Sequence, residues 1–315
     1  MIQVTLLGTS AAVPTVDRNV SALMVQRDGE HLLFDCGEGT QRQMMRHNAG
    51  FTLDAVFITH YHADHTLGIA GLLRTFGLQG RAAPLVLYGP RGANRHLGAL
   101  VDLGMERMKF PVEILEVAPG DVLPRGEYDI VVGESLHKGA CVAYALVERD
   151  RLGRFDPEIA RRHGVPEGPL WGRLHRGETV EGDGGQQVTA ADLVGPARPG
   201  RRVVYTGDTA PCSAIVELAR GADLLIHEAT FGVDERQRAR ETLHSTAHDA
   251  AATARDAGVA RLVLTHISAR YNREAPELLA EARAVFPDTV IGRDGMVIEV
   301  PHRHEEVTSN VSDTG

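Results

Sequence analysis

The sequence predicts an α/β fold with mixed sheets. Two observations carry that prediction. Strand-type and helix-type runs intermix along the whole chain, which is the pattern of layered α/β domains. The first half is also rich in hairpin-like strand runs, which a purely parallel sheet would not contain. IQVTLLGT (2–9) opens the chain as a strand. VSALMVQ (20–26) and HLLFDCGEGT (31–40) follow, with RDGE as the turn between them. TQRQMMRHNA reads as a short helix, DAVFITH as a strand and TLGIAGLLRTFGLQG as an apolar helix. PLVLYGP is a strand, RGANRHLGALVDLG a helix, and FPVEILEV and YDIVVGESLH are strands again. Later, RRVVYTGDT, DLLIHEAT and RLVLTHIS read as strands separated by the helices CSAIVELARGA and HSTAHDAAATARDAG. A last helix, EAPELLAEARAVFP, precedes a final pair of strands in VIGRDGMVIEV.

Two stretches break this rhythm. Residues 150–195 are dense in Gly, Arg and charge and show poor apolar periodicity, so they read as an insertion projecting from the core. Residues 302–315 are polar and read as a flexible tail, with His302 and His304 simply solvated. The expected organisation is therefore one main domain made of 1–149 and 196–301, interrupted by the insertion.

The bulk numbers exclude several classes. With 315 residues, 43% of them hydrophobic, the chain can bury a large core. Its formal net charge is −9, so it lacks the basic excess common in nucleic-acid binders, and a polyanionic partner would need a local positive site. Cys36, Cys141 and Cys212 lie far apart and form no CxxC pair, which argues for a reducing, cytoplasmic setting. No apolar run approaches the roughly 18 residues of a membrane span. MIQVTLLGTSAAVP has no basic start and reads as a strand rather than a signal peptide.

Four strand-type runs each end in a metal-ligand residue type. FITH ends in His60, with His62, Asp64 and His65 close behind; IVVGESLH ends in His137, VVYTGD in Asp208 and LVLTH in His266. Open α/β sheets place their sites beyond the carboxyl ends of strands. In an extended segment His60 and His62 point to the same side and can share one cation. Asp64 and His65 fall past the strand end, where a turn can aim them at a second. Imidazole and carboxylate together suit Zn²⁺, Mn²⁺ or Fe²⁺. Two cations against Asp64, Asp208 and a hydroxide leave a net positive charge, which favours a phosphodiester substrate.

HYHADH, GDT and LTHIS resemble the metallo-β-lactamase superfamily. LLFDCGEGTQRQM (32–44), GVPEGPLWGRLHRGETV (164–180) and LHSTAHDAA (243–251) resemble one family inside it, ribonuclease Z, the tRNA 3′-processing endonuclease. The resemblance runs from about residue 1 to residue 300. It implies an αββα sandwich of two mixed sheets carrying an exosite insertion, two Zn²⁺ ions (or Mn²⁺ or another divalent ion) and a precursor tRNA substrate. By matched position, His60, His62 and His137 bind one zinc, Asp64, His65 and His266 the other, and Asp208 bridges them. Asp64 takes the family's proton-acceptor role, and His244 assists at the scissile phosphate. The insertion resembles an arm that clamps the tRNA elbow, with Gly168, Pro169, Trp171, Arg173 and Arg176 as its gripping residues. Six arginines there (Arg151, Arg154, Arg161, Arg162, Arg173 and Arg176) face five acids between residues 150 and 178, so the arm is nearly neutral. Guanidinium groups can still hold phosphates individually. The family works as a homodimer, away from membranes.

Three functions compete. The first is a zinc-dependent endoribonuclease that removes the 3′ trailer, leaving a 3′-hydroxyl on the tRNA and a 5′-phosphate on the trailer. The second keeps the metals but acts on small molecules, as a phosphodiesterase or arylsulfatase-like hydrolase. The third, a non-catalytic RNA-binding protein, requires a broken metal site, and none of the seven ligand positions is lost. His227, Glu228 and Asp35 are expected to support the ligands from behind.

Overall fold

The computed structural model describes residues 1–104, 107–271 and 274–302. Most of the stretch read as a tail, 303–315, lies outside the described residues, His304 included. The chain divides into two compact units: Met1–Val147 together with the chain from Arg201 onward, and Glu148–Gly200.

The larger unit holds two seven-stranded sheets. The first runs, edge to edge, Val297–Val300, Ile2–Gly8, Ala22–Arg27, Glu30–Phe34, Ala55–Phe57, Leu85–Gly89 and Val112–Glu116. Its first four strands pair antiparallel and the remainder parallel. The second runs Thr289–Ile291, Leu262–Thr265, Leu224–Glu228, Arg202–Tyr205, Val142–Glu148, Tyr128–Glu134 and Val122–Arg125. Its first four strands are parallel, and Val142–Glu148 joins them antiparallel.

The side-chain alternation of the strands sets the layers. Leu23, Val25, Leu32, Phe34, Ala55 and Phe57 face the second sheet and pack with Tyr128, Tyr144, Val203 and Ile226. The intervening Ala22, Met24, Leu33 and Val56 face outward. There they meet Met44, Ile69, Leu72, Phe76 and Leu97 from the helices Thr40–Arg46, Gly68–Leu78 and Ala93–Val101. The outer face of the second sheet is covered by Ser213–Leu218, Ala247–Ala257 and Pro276–Arg283. The result is the αββα sandwich of two mixed sheets. No helix among the described residues is long and apolar enough to cross a membrane.

Two strands of these seven-stranded sheets went unread in the sequence. Val122–Arg125 is a short, largely exposed edge strand, and Val142–Glu148 follows a glycine-containing loop directly. Several runs were read too long, because the strands stop at Phe34, Phe57, Glu134 and Tyr205, before the polar residues that follow.

The smaller unit contains the helices Pro157–Arg162, Pro169–His175 and Ala190–Leu193, and a hairpin pairing Val180–Glu181 with Gln187–Val188. Ala160, Val165, Leu174, Val180, Val188 and Leu193 form its own small core. Poor periodicity concealed this core, because each short element contributes only one or two apolar residues.

Candidate metal centre

The predicted ligands lie just past strand ends. His60, His137 and Asp208 each follow a strand by three residues, and His266 follows Leu262–Thr265 directly. His62 is the N-cap of a one-turn helix, Ala63–Thr66, which carries Asp64 and His65. The loop after Glu30–Phe34 braces this turn: Cys36 N donates to the His65 carbonyl at 2.8 Å. Gly37 is required there, since a Cβ would lie 2.3 Å from the Asp64 carbonyl oxygen.

These seven side chains gather into two groups. In the first, His62 Nδ1 lies 3.0 Å from His60 Nε2 and 3.2 Å from His137 Nε2. Asp208 Oδ2 is 3.6 Å from His60 Nε2 and 3.8 Å from His137 Nε2. In the second, Asp64 Oδ2 is 3.5 Å from His65 Nε2 and 3.3 Å from His266 Nε2. Asp208 Oδ1 reaches the same two nitrogens at 3.4 and 3.3 Å. One carboxylate thus presents an oxygen to each group. Donors bound tetrahedrally at about 2.0–2.1 Å from zinc sit about 3.3–3.4 Å apart, so these separations fit. His65 Nε2 and Asp208 Oδ1 are buried and make no hydrogen bond, as metal-facing atoms should.

The opposite ring nitrogens of His60, His65, His137 and His266 are tied down, which fixes tautomer and aim. His60 Nδ1 bonds Thr59 Oγ1 at 3.1 Å, and that hydroxyl donates to Asp35. His65 Nδ1 donates to Asp35 Oδ2 at 2.7 Å, where Tyr205 also donates at 2.9 Å. His137 Nδ1 donates to the Leu243 carbonyl at 2.8 Å. His266 Nδ1 bonds Thr230 Oγ1 at 2.8 Å, and that hydroxyl donates a hydrogen bond to Glu228 Oε2 at 2.7 Å. Asp64 Oδ2 accepts from Ala12 N at 2.9 Å. Asp35 and His266 both sit at φ 55°, a left-handed conformation uncommon for such residues, held where side-chain direction matters.

Burial lowers His60 well below its ordinary value, and lowers His62 and His137 too, so these imidazoles keep lone pairs for a cation. At His65 burial is outweighed by Asp208 and Asp35, which hold it well above the imidazole range. Those carboxylates attract positive charge, and a cation at Nε2 would replace the proton.

His244 sits beside both groups. Its Nδ1 donates to Glu228 Oε1 at 2.7 Å and lies 4.0 Å from Asp208 Oδ2. Asp208, His244 and His266 also cluster closely enough to suggest a third ligand set. That nitrogen is already committed to Glu228, which favours a proton-handling role over ligation. Burial opposes its protonation, but Glu228 and Asp208 prevail and push its pKa up to about 9. Glu228 thereby supports both His244 and, through Thr230, His266. Its neighbour His227 bonds instead to the Glu228 carbonyl, so of the three residues expected to support the ligands, Asp35 and Glu228 reach them and His227 makes no such contact. Thr59, Tyr205, Thr230 and the Leu243 carbonyl were not singled out from the sequence; all four stood inside quoted motifs, without the contacts that define them.

The five residues expected to grip RNA sit together elsewhere, in the smaller unit. Gly168 caps and Pro169 opens the helix Pro169–His175. Trp171 donates to the Val165 carbonyl and packs against that unit's core. Arg173 and Arg176 both pair with Glu178, at 2.7 and 3.5 Å.

The sequence matches the model of the Metallo-beta-lactamase superfamily over residues 15–266. A ribonuclease Z of Gemmatimonas aurantiaca is 54% identical over 310 residues, covering 98% of this chain and 97% of its own. One from Myxococcus xanthus is 53% identical, with 96% and 99% covered. The crystal structure of the short form of human tRNase Z aligns with a TM-score of 0.67 at 27% identity, covering 95% of this chain and 99% of that one. The metallo-beta-lactamase fold protein YhfI from Bacillus subtilis has a TM-score of 0.68 at 23% identity, with 95% and 100% covered.

Proposed function

Because the chain belongs to the ribonuclease Z family of the metallo-β-lactamase superfamily, we propose a division of labour among its residues. The protein is a zinc-dependent endoribonuclease of the tRNA 3′-processing type, acting on precursor tRNA with two zinc ions. His60, His62 and His137 hold one ion, Asp64, His65 and His266 the other, and Asp208 serves both. The observation that carries this assignment is the pair of Asp208 oxygens, one directed at each group. When bound, the ions acidify the attacking water and offset charge on the phosphodiester.

Asp64 accepts and orients the proton of that water, its carboxylate kept ionised by His266 and His65 despite burial. His244, protonated against Glu228, donates to the departing 3′-oxygen. The products are a tRNA with a 3′-hydroxyl and a trailer with a 5′-phosphate. The insertion 150–195 acts as the RNA grip, with Gly168, Pro169, Trp171, Arg173 and Arg176. Family resemblance supports a homodimer, and the widely spaced cysteines support a cytoplasmic setting. Mapping the ends of a cleaved precursor, alongside metal analysis of the purified protein, tests the reading. A 2′,3′-cyclic phosphate product would exclude attack by water.

A further inference from the structure

We propose that a cavity beside His244 is a subsite for a second phosphodiester of the RNA strand, adjoining the scissile one, and that Arg236 and Arg240 hold it. This rests on the tRNA-processing reading above. The cavity has a volume of about 510 Å³ and is walled by Arg236, Arg240, His244, His248 and Pro211, among others. Its inner wall is continuous with the metal centre. The Leu243 carbonyl holds His137, and His244 lies 4.0 Å from the shared Asp208. A strand with its scissile phosphate at the ions therefore runs past this opening.

The charge of the cavity suits a phosphate. Arg236 and Arg240 stand four residues apart on the helix Arg236–Thr242, so they share a face. Neither guanidinium forms a salt bridge or side-chain hydrogen bond among the described residues, and the Arg236 Nε atom is buried without a partner. An unpaired guanidinium facing a cavity has its planar donor fork free for a phosphate. His248 stands in the first turn of Ala247–Ala257, where the helix end favours negative charge. The one carboxylate on the wall, Asp249, accepts from Thr246 N and Oγ1 at 3.1 and 2.7 Å as part of a capping box, and it lies 3.9 Å from His248 Nδ1. It is committed to the helix start and pairs with neither arginine; Glu281 also acts on Arg236 by charge, without a salt bridge between them.

The test uses Arg236→Ala, Arg240→Ala and the double variant in the full protein loaded with zinc. KM and kcat are measured on a precursor tRNA across a salt series, and hydrolysis of bis(p-nitrophenyl) phosphate is measured in parallel. The subsite predicts a KM for precursor tRNA raised by about tenfold per arginine. It also predicts a salt slope reduced by about 1 per lost contact, and small-diester hydrolysis within twofold of the unaltered protein. Arg→Lys at either position should restore part of the loss. Unchanged KM and salt slope would overturn the proposal, as would a parallel fall on both substrates, which marks damage to the metal centre. An unaltered protein that hydrolyses the small diester but leaves the precursor intact would bring down the functional reading itself, and the subsite with it.

Discussion

Asp35 receives His65 directly and His60 through the Thr59 hydroxyl, so one buried carboxylate steadies imidazoles of both ion sites. Replacing Asp35 with Asn removes the charge that favours the His65 Nδ1 proton and leaves Nε2 less basic. Loss of such outer partners commonly weakens metal binding 10–100-fold; D35N should lose zinc to a competing chelator by about that factor at both sites. A second test concerns Glu228. His244, with its pKa pushed up to about 9, is protonated at neutral pH and loses that proton as pH rises. Activity that needs the proton is present below that pKa and falls above it. Bound cations push in the same direction as rising pH, so the alkaline limb of kcat/KM should lie at or below about 9. E228Q should move the limb further down, and an unmoved limb would remove His244 from proton transfer. The ligands were legible in the sequence because their residue types stand at the ends of apolar runs. Their supports were not, because Thr59, Tyr205, Thr230 and a backbone carbonyl act only through rotamers and contacts made across the fold.

Between strand and ligand, the chain turns sharply. Thr206 and Gly207 separate Tyr205 from Asp208; Gly207 sits at φ 58°, and a Cβ there would lie 2.7 Å from Thr59 Cβ and Oγ1. The strain is therefore double, from backbone conformation and from the hydroxyl that links Asp35 to His60. G207A should cost about 1–3 kcal/mol of stability in denaturant unfolding. It should also lower zinc content, because Thr59 must move. A variant of normal stability and full metal occupancy would contradict the geometry. At this scale the sequence showed which runs were strands better than where they stopped. Val142–Glu148 was missed even though Val142, Tyr144 and Leu146 are buried in the inter-sheet core, because the preceding HKGA loop masked its start. The short elements of residues 150–195 hid their common core for a related reason: a handful of apolar residues spread over three helices and a hairpin leaves no period to read.

Across the whole molecule, the metal chemistry and the proposed grip of the insertion fall in different compact units. Deleting 150–195 and rejoining the ends with a Gly-Ser linker should leave bis(p-nitrophenyl) phosphate hydrolysis nearly intact while precursor-tRNA cleavage falls by orders of magnitude. Equal losses on both substrates would show that the insertion is not an RNA clamp. The α/β class and the two-sheet sandwich were foreseeable, since intermixed runs and hairpin pairs are properties of short sequence windows. The self-contained core of Glu148–Gly200 was not, since it arises only when distant short pieces meet. Asp208 carries a further consequence. Its Oδ2 faces one ion site and its Oδ1 the other, so the first ion to arrive immobilises the carboxylate in the orientation that the second requires. Uptake should then be cooperative, and native mass spectrometry during a zinc titration of the stripped protein should find empty and doubly filled molecules with few half-filled ones between.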